Sequence, residues 1–156
     1  MRNQLIQAVG ALLFGLTLSL PSTAQQTAAQ DTRPLPRMEA PFDEEAFARD
    51  FRSHFTQIDG TRIHYVKGGE GPPLVLLHGW PESSCSFRRI MPELGKHFTV
   101  IAPDLRGFGD SNRPSPANMS KEQITADVTE LVRRLGYEQV SVIGHDWGGV
   151  IAYEMA

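Results

Sequence analysis

The pentapeptide Gly144-His145-Asp146-Trp147-Gly148 holds a carboxylate between two glycines, each two residues away. It follows the apolar run Val140-Ser141-Val142-Ile143 and precedes the helix-like Val150-Ile151-Ala152-Tyr153. Strand, glycine turn and helix form the setting of a nucleophile elbow. There the backbone is held tightly and glycines let strand and helix approach closely, the part expected of Gly144 and Gly148. With Asp in place of Ser, the chemistry changes from acyl transfer by an alkoxide to attack by a carboxylate on a saturated carbon. A carboxylate needs no base to ionise it, since its reference pKa is about 3.9. The N-terminus of the following helix favours the same anionic form. The product of attack would be an alkyl-enzyme ester. The alternative is that Asp146 simply caps the helix.

Two further motifs bear on that choice. Leu74-Val75-Leu76-Leu77-His78-Gly79-Trp80-Pro81 reads as a buried parallel strand running into a loop. A loop there can supply one backbone N–H of an oxyanion hole, and the residue after the nucleophile the other. The donors would be the amides of Trp80 and Trp147. His78 reads as a structural histidine that bonds the loop backbone, with Gly79 and Pro81 shaping the same loop. Thr99 to Ser111 reads as a short buried strand entering a glycine-punctuated turn. In it, Asp104, Arg106 and Asp110 are expected to form a structural web of ion pairs and hydrogen bonds.

With these three motifs in order, residues 51–156 resemble the N-terminal part of an α/β-hydrolase of the epoxide hydrolase and haloalkane dehalogenase group. The carrying residues are His78-Gly79-Trp80-Pro81, Asp104-Leu105-Arg106-Gly107-Phe108-Gly109-Asp110-Ser111 and Gly144-His145-Asp146-Trp147-Gly148-Gly149. The resemblance implies a mostly parallel sheet with an N-terminal antiparallel hairpin and helices on both faces, truncated after the elbow. It implies an Asp146 nucleophile, a small apolar epoxide or halide as substrate, and no cofactor. Trp80 followed by Pro81 is similar to the epoxide hydrolase pattern. Haloalkane dehalogenases tend to carry Asn or Glu after the His-Gly pair, and fluoroacetate dehalogenases usually carry Arg after the nucleophile. Epoxide hydrolase is therefore the first expectation and a dehalogenase the second. A secreted α/β-hydrolase-like binding protein without turnover is the third.

In the family the ester is hydrolysed by water, activated by a His that follows the nucleophile and pairs with an acid. The five histidines here are His54, His64, His78, His97 and His145, and none follows Asp146. His145 is its neighbour, and adjacent side chains on an elbow point apart, so it is expected to pack or cap. Tyr65, Tyr137 and Tyr153 are expected on core segments, whereas the family's ring-binding tyrosines belong to a later lid. The expectation is a fragment, lacking lid and C-terminal half, that cannot turn over alone. The strand at 140–143 would then be an exposed apolar edge.

The start of the chain reads differently. Arg2 precedes an apolar stretch from Leu5 to Leu20, and Pro21-Ser22-Thr23-Ala24 offers small residues to a signal peptidase. Residues 1–24 are expected to be a secretory signal peptide, sending the protein to the periplasm or outside the cell. The apolar stretch is shorter than the roughly 20 residues of a spanning helix. No stable membrane association is expected after cleavage. Residues 25–50 are expected to be a flexible tether, with a short helix open to its last part, from Pro41 to Arg52. The formal charge is −3, one unit more negative once Arg2 leaves with the leader, which argues against nucleic acid as a partner. No Cys, His and Asp cluster has metal-ligand spacing. Cys85 is the only cysteine, so no internal disulfide forms, and it is expected to be buried or half-buried.

The elements that must position these motifs follow from pattern. Strands are expected at 51–58 and 61–66, joined at Asp59-Gly60. Further strands are expected at 74–77, 97–102 and 140–143, with a helix over 84–95. Ser120 and Gln123 form the capping box of a helix that runs to Leu135 and stops at Gly136. Its Ile124, Val128, Leu131, Val132 and Leu135 should face the sheet.

Overall fold

The computed structural model describes residues 41–113 and 119–156. The expected signal peptide and most of the expected tether lie outside the described residues. The last part of that tether is ordered as helix α1, Glu44–Asp50, so regular structure begins earlier than residue 51. Asp43 caps α1 by accepting the Ala46 N–H at 2.9 Å.

α1 runs directly into the hairpin of β1, Phe51–Ile58, and β2, Thr61–Gly68. Asp59 and Gly60 both take positive φ, +45° and +71°, as a two-residue turn of type I′ requires. β3, Pro73–Leu77, β4, Thr99–Pro103, and β5, Ser141–Gly144, complete a five-stranded sheet of order β1-β2-β4-β3-β5. The first two pairings are antiparallel and the last two parallel. The chain leaves β3 for β4 on one side and returns to β5 on the other. β3 and β5 therefore flank the point where the winding reverses, the place where open α/β sheets bind ligands.

Both faces of the sheet are covered, so β3 is apolar at every position. On one face Ile63, Val75, Leu77 and Ile101 pack against α3, Lys121–Arg134, and α4, Trp147–Met155. Ile124, Val128, Leu131 and Val132 of α3 are buried there as expected, and Leu135 is partly so. On the other face Leu74, Leu76, Val100 and Ala102 pack against Phe51, Phe87 and Met91.

Several local expectations are corrected. The segment 84–95 is not one helix but a 3-10 turn, Ser84–Phe87, followed by the single turn α2, Met91–Leu94. Ser84 gives its N–H to Asp104 at 2.7 Å, and Pro92 has no N–H to continue a helix. This arrangement leaves Cys85 exposed rather than buried. The strand expected at 97–102 starts two residues later, because the N–H groups of His97 and Phe98 turn back to Leu94. Ser120 caps α3 through the Gln123 N–H, but the Gln123 side chain reaches forward to Asp127 at 3.3 Å instead of closing the box. Tyr153, expected on a core segment, is 82% exposed on α4.

Candidate active site

β3 and β5 run parallel with Leu77 opposite Gly144, and both end there. The His145 N–H donates to the Leu77 carbonyl at 3.0 Å, so the two loops leave the sheet side by side. Asp146 then takes φ +52° and ψ −117°. A non-glycine residue held in that region stores about 1–3 kcal/mol of strain. The contacts around it leave little room to relax. A Cβ on Gly148 would lie 2.1 Å from the Leu77 carbonyl oxygen, and one on Gly144 would lie 2.3 Å from the Gly148 oxygen. A Cβ on Gly79 would meet the Asp146 side chain itself at 2.7 Å. Glycine at these positions lets strand, loop and helix meet at one point.

Asp146 occupies the N-cap position of α4 but makes no side-chain capping bond. Its carboxylate reaches across the gap instead and accepts the Trp80 N–H at 2.9 Å. The Trp80 amide, then that of Trp147, hold its pKa below the ordinary aspartate value, with a smaller contribution from His145. The two amides expected to face the carboxylate are thus the ones that touch it electrostatically. Both indole side chains are exposed, Trp80 at 69%, so neither is a core residue. A hollow of about 520 Å³ opens beside this loop, lined by Trp80, Pro81, Phe108, Arg113 and Met119 among others.

The loop is fixed from below by His78. Its Nε2 faces the Leu105 N–H at 3.0 Å and must accept, so Nδ1 carries the hydrogen and donates to the Gly79 carbonyl at 2.8 Å. Burial lowers the His78 pKa, which keeps this neutral form. His78 is therefore a strut of the loop. Glu82, not singled out by the sequence pattern, ties the same loop by accepting the Gly79 N–H at 3.2 Å. It also faces His145, Oε2 to Nδ1 at 3.6 Å. His145 is accordingly an exposed partner of Glu82, neither packed nor capping. Its place beside Pro81 was the available signal for Glu82.

The web around Asp104 differs from expectation. Asp104 holds His64 and the N–H groups of Ser84 and Asp110, but Arg106 turns away from it. Arg106 is buried and makes a two-point pair with Asp127 of α3, at 2.5 and 2.6 Å. His64, Asp104 and Asp110 do bring their ligand-type atoms within 4.8 Å of one another. His64 lies 40 residues before Asp104, far from the turn that carries both acids, so chain spacing could not reveal the cluster, and His64 and Asp104 are bonded to each other.

Comparison with known proteins identifies the fold and its family. Residues 72–156 match the model of the alpha/beta hydrolase fold family, and residues 42–87 match that of the epoxide hydrolase N terminus. A soluble epoxide hydrolase of Corynebacterium sp. (strain C12) is 54% identical over 103 residues, covering 66% of this chain and 36% of that protein. A fluoroacetate dehalogenase of Burkholderia sp. is 38% identical over 110 residues, covering 68% and 36%. Among solved structures, the ligand-free epoxide hydrolase CorEH superposes with a TM-score of 0.65 at 53% identity, covering 67% of this chain and 36% of that one. The chain thus spans about a third of the length of these relatives. On the matched models, the shared topology and the sequence identity, the protein belongs to the α/β-hydrolase fold family, on its epoxide-hydrolase-like side, and carries the N-terminal portion of that fold.

Proposed function

We propose that Asp146 is the nucleophile of an epoxide-hydrolase-type reaction. The observation that carries this reading is the strained Asp146 carboxylate lying on the Trp80 amide at 2.9 Å instead of capping its helix. One carboxylate oxygen attacks a ring carbon of a small apolar epoxide. The bond from that carbon to the ring oxygen breaks, and the oxygen, still held by the neighbouring carbon, takes a proton from water, giving a hydroxyalkyl ester on Asp146 and hydroxide. In this reading, when water attacks that ester, the amides of Trp80 and Trp147 take the charge on the tetrahedral oxygen. None of the five histidines of this chain follows Asp146; His54, His64, His78 and His145 engage other partners, and His97 lies in the turn before β4. The 156-residue chain therefore forms the ester and holds it.

The test is incubation with styrene oxide, followed by intact mass and peptide mapping. One hydroxyalkyl group on Asp146, stable over hours, is expected, and Asp146→Asn should lower its formation by about 100-fold or more, the low end of what positioned groups contribute. Adducts spread over exposed carboxylates, or unchanged in the variant, would overturn the assignment. The fluoroacetate dehalogenase relative supports a second reading in which the same carboxylate displaces a halide. Trp147, where that group usually has Arg, favours the epoxide. Release of fluoride or chloride from haloacetates by the same chain would reverse the order.

A further inference from the structure

A second chemical constellation lies on the hairpin, and none of its residues belongs to the elbow or to the Trp80 loop. His64 of β2 is buried, and its two ring nitrogens face different partners. Nδ1 lies 2.9 Å from Asp104 Oδ2, and Nε2 lies 2.6 Å from the hydroxyl of Ser53 on β1. Asp104 is itself fixed, its two oxygens accepting the N–H groups of Ser84 and Asp110 at 2.7 Å each. The His64 backbone is anchored through its N–H to Ser111 Oγ at 2.9 Å. An ionised carboxylate only accepts, so in the neutral ring Nδ1 carries the hydrogen. Nε2 is then the basic nitrogen, and the Ser53 hydroxyl donates to it. Hydroxyl, imidazole and carboxylate stand in the order and through the atoms of an acyl-transfer triad.

The sheet supplies two more features. β1 is an edge strand, and its turn makes Ile58 and Thr61 the first hydrogen-bonded pair. Alternation then directs the N–H groups of Gln57, Phe55 and Ser53 outward. The Gln57 carbonyl does point outward, where it accepts from Arg134. Ser53 is solvent-exposed and its own amide faces the open side, available to an oxyanion formed at its hydroxyl. Beside it, the half-exposed Phe55 ring lies 5.0 Å from the His64 ring, with the Arg62 guanidinium 4.4 Å above it. This gives an apolar wall with a positive rim.

We infer that Ser53 is an activated nucleophile, with His64 as its base and Asp104 as the group that orients the base, open to small activated esters and fluorophosphonates. With a fluorophosphonate, Ser53 Oγ forms a bond to phosphorus, the phosphorus–fluorine bond breaks, and fluoride leaves. The hydroxyl proton passes to His64 Nε2. With an aryl ester, the hydroxyl attacks the carbonyl carbon, and the phenolate leaves with the proton that His64 took up.

The experiment treats the full chain with an ethoxy fluorophosphonate probe and maps the labelled peptides. No step of it passes through Asp146, so its outcome is independent of the epoxide reading. Ser53 should be labelled at least about tenfold faster than the exposed Ser86, a conservative share of what a positioned base contributes, and Ser53→Ala should remove that label. A second measurement uses Ser53→Cys with iodoacetamide at neutral pH. A thiol paired with an imidazole ionises more readily, so residue 53 should be alkylated about tenfold faster than the exposed Cys85 of the same chain. Equal labelling of Ser53 and Ser86, or equal alkylation of the two thiols, would overturn the inference.

Discussion

Asp104 shows how one buried carboxylate can organise several loops at once. Burial by itself would raise its pKa, but the His64 ring and the amides of Asp110 and Ser84 outweigh that and hold it at about 2, against an ordinary 3.8. A depressed carboxylate stabilises the fold fully above 3.8, and that stability drains as pH falls from there through about 2. The contribution is about 2 kcal/mol, at roughly 1.4 kcal/mol per pH unit. Urea unfolding between neutral pH and pH 2 should therefore show a steep acid loss in the parent protein. In Asp104→Asn, stability should be lower at neutral pH and its decline with acid shallower; an unchanged slope would refute this role. Asp146 is exposed, and its lowered pKa serves to keep it ionised, not to hold the fold. The two carboxylates differed in how far the sequence revealed them. Asp146 declares itself because its glycines and flanking elements are its chain neighbours. The partner of Asp104 on β2 is 40 residues away, and only the strand order brings it there.

Helix α3 was almost fully readable, and its one unreadable residue is instructive. Apolar spacing identifies the stripe of Ile124, Val128, Leu131 and Val132, since burial against a sheet selects one face. Asp127 lies beside that stripe and is just as buried, yet a pattern of apolar and polar residues assigns it to solvent. Its presence is explained by Arg106, which leaves the turn after β4 and enters the helix–sheet interface. Gln123 adds a hydrogen bond to the same carboxylate. Removing one member strands a buried charge, which typically costs about 3–5 kcal/mol. Asp127→Ala should lose that much in urea unfolding. The double variant Arg106→Met with Asp127→Leu should recover most of it, because the charges then vanish together. If the single and double variants were equally unstable, the pair would matter for shape and not for charge. The segment 84–95 failed in the sequence reading for a related reason. Its local propensity is helical, but a distant carboxylate captures the Ser84 amide, and Pro92 forbids the continuation.

The two edges of the sheet face different fates. β1 presents polar and basic residues, and Arg134 covers its Gln57 carbonyl, features that blunt an edge without closing it. β5 has no strand on its outer side among the described residues. Ile143 there is 45% exposed on the face it shares with Leu76, and Trp147, Val150 and Tyr153 of α4, which packs on the other face, are exposed too. An unpaired strand with exposed apolar side chains is a template for association. The sequence implied this edge through its short apolar run, and the structure places that run at the end of the strand order. Sedimentation of the 156-residue chain should thus show assembly that grows with protein concentration. Ile143→Lys adds an edge charge of the kind natural sheets use against pairing, and leaves β5 hydrogen-bonded to β3. It should shift the population toward monomer without lowering the unfolding midpoint by more than about 1 kcal/mol equivalent, as for other exposed substitutions. A parent protein that sediments as a compact monomer at every concentration would show that the open side of β5, only four residues long, does not recruit a second chain.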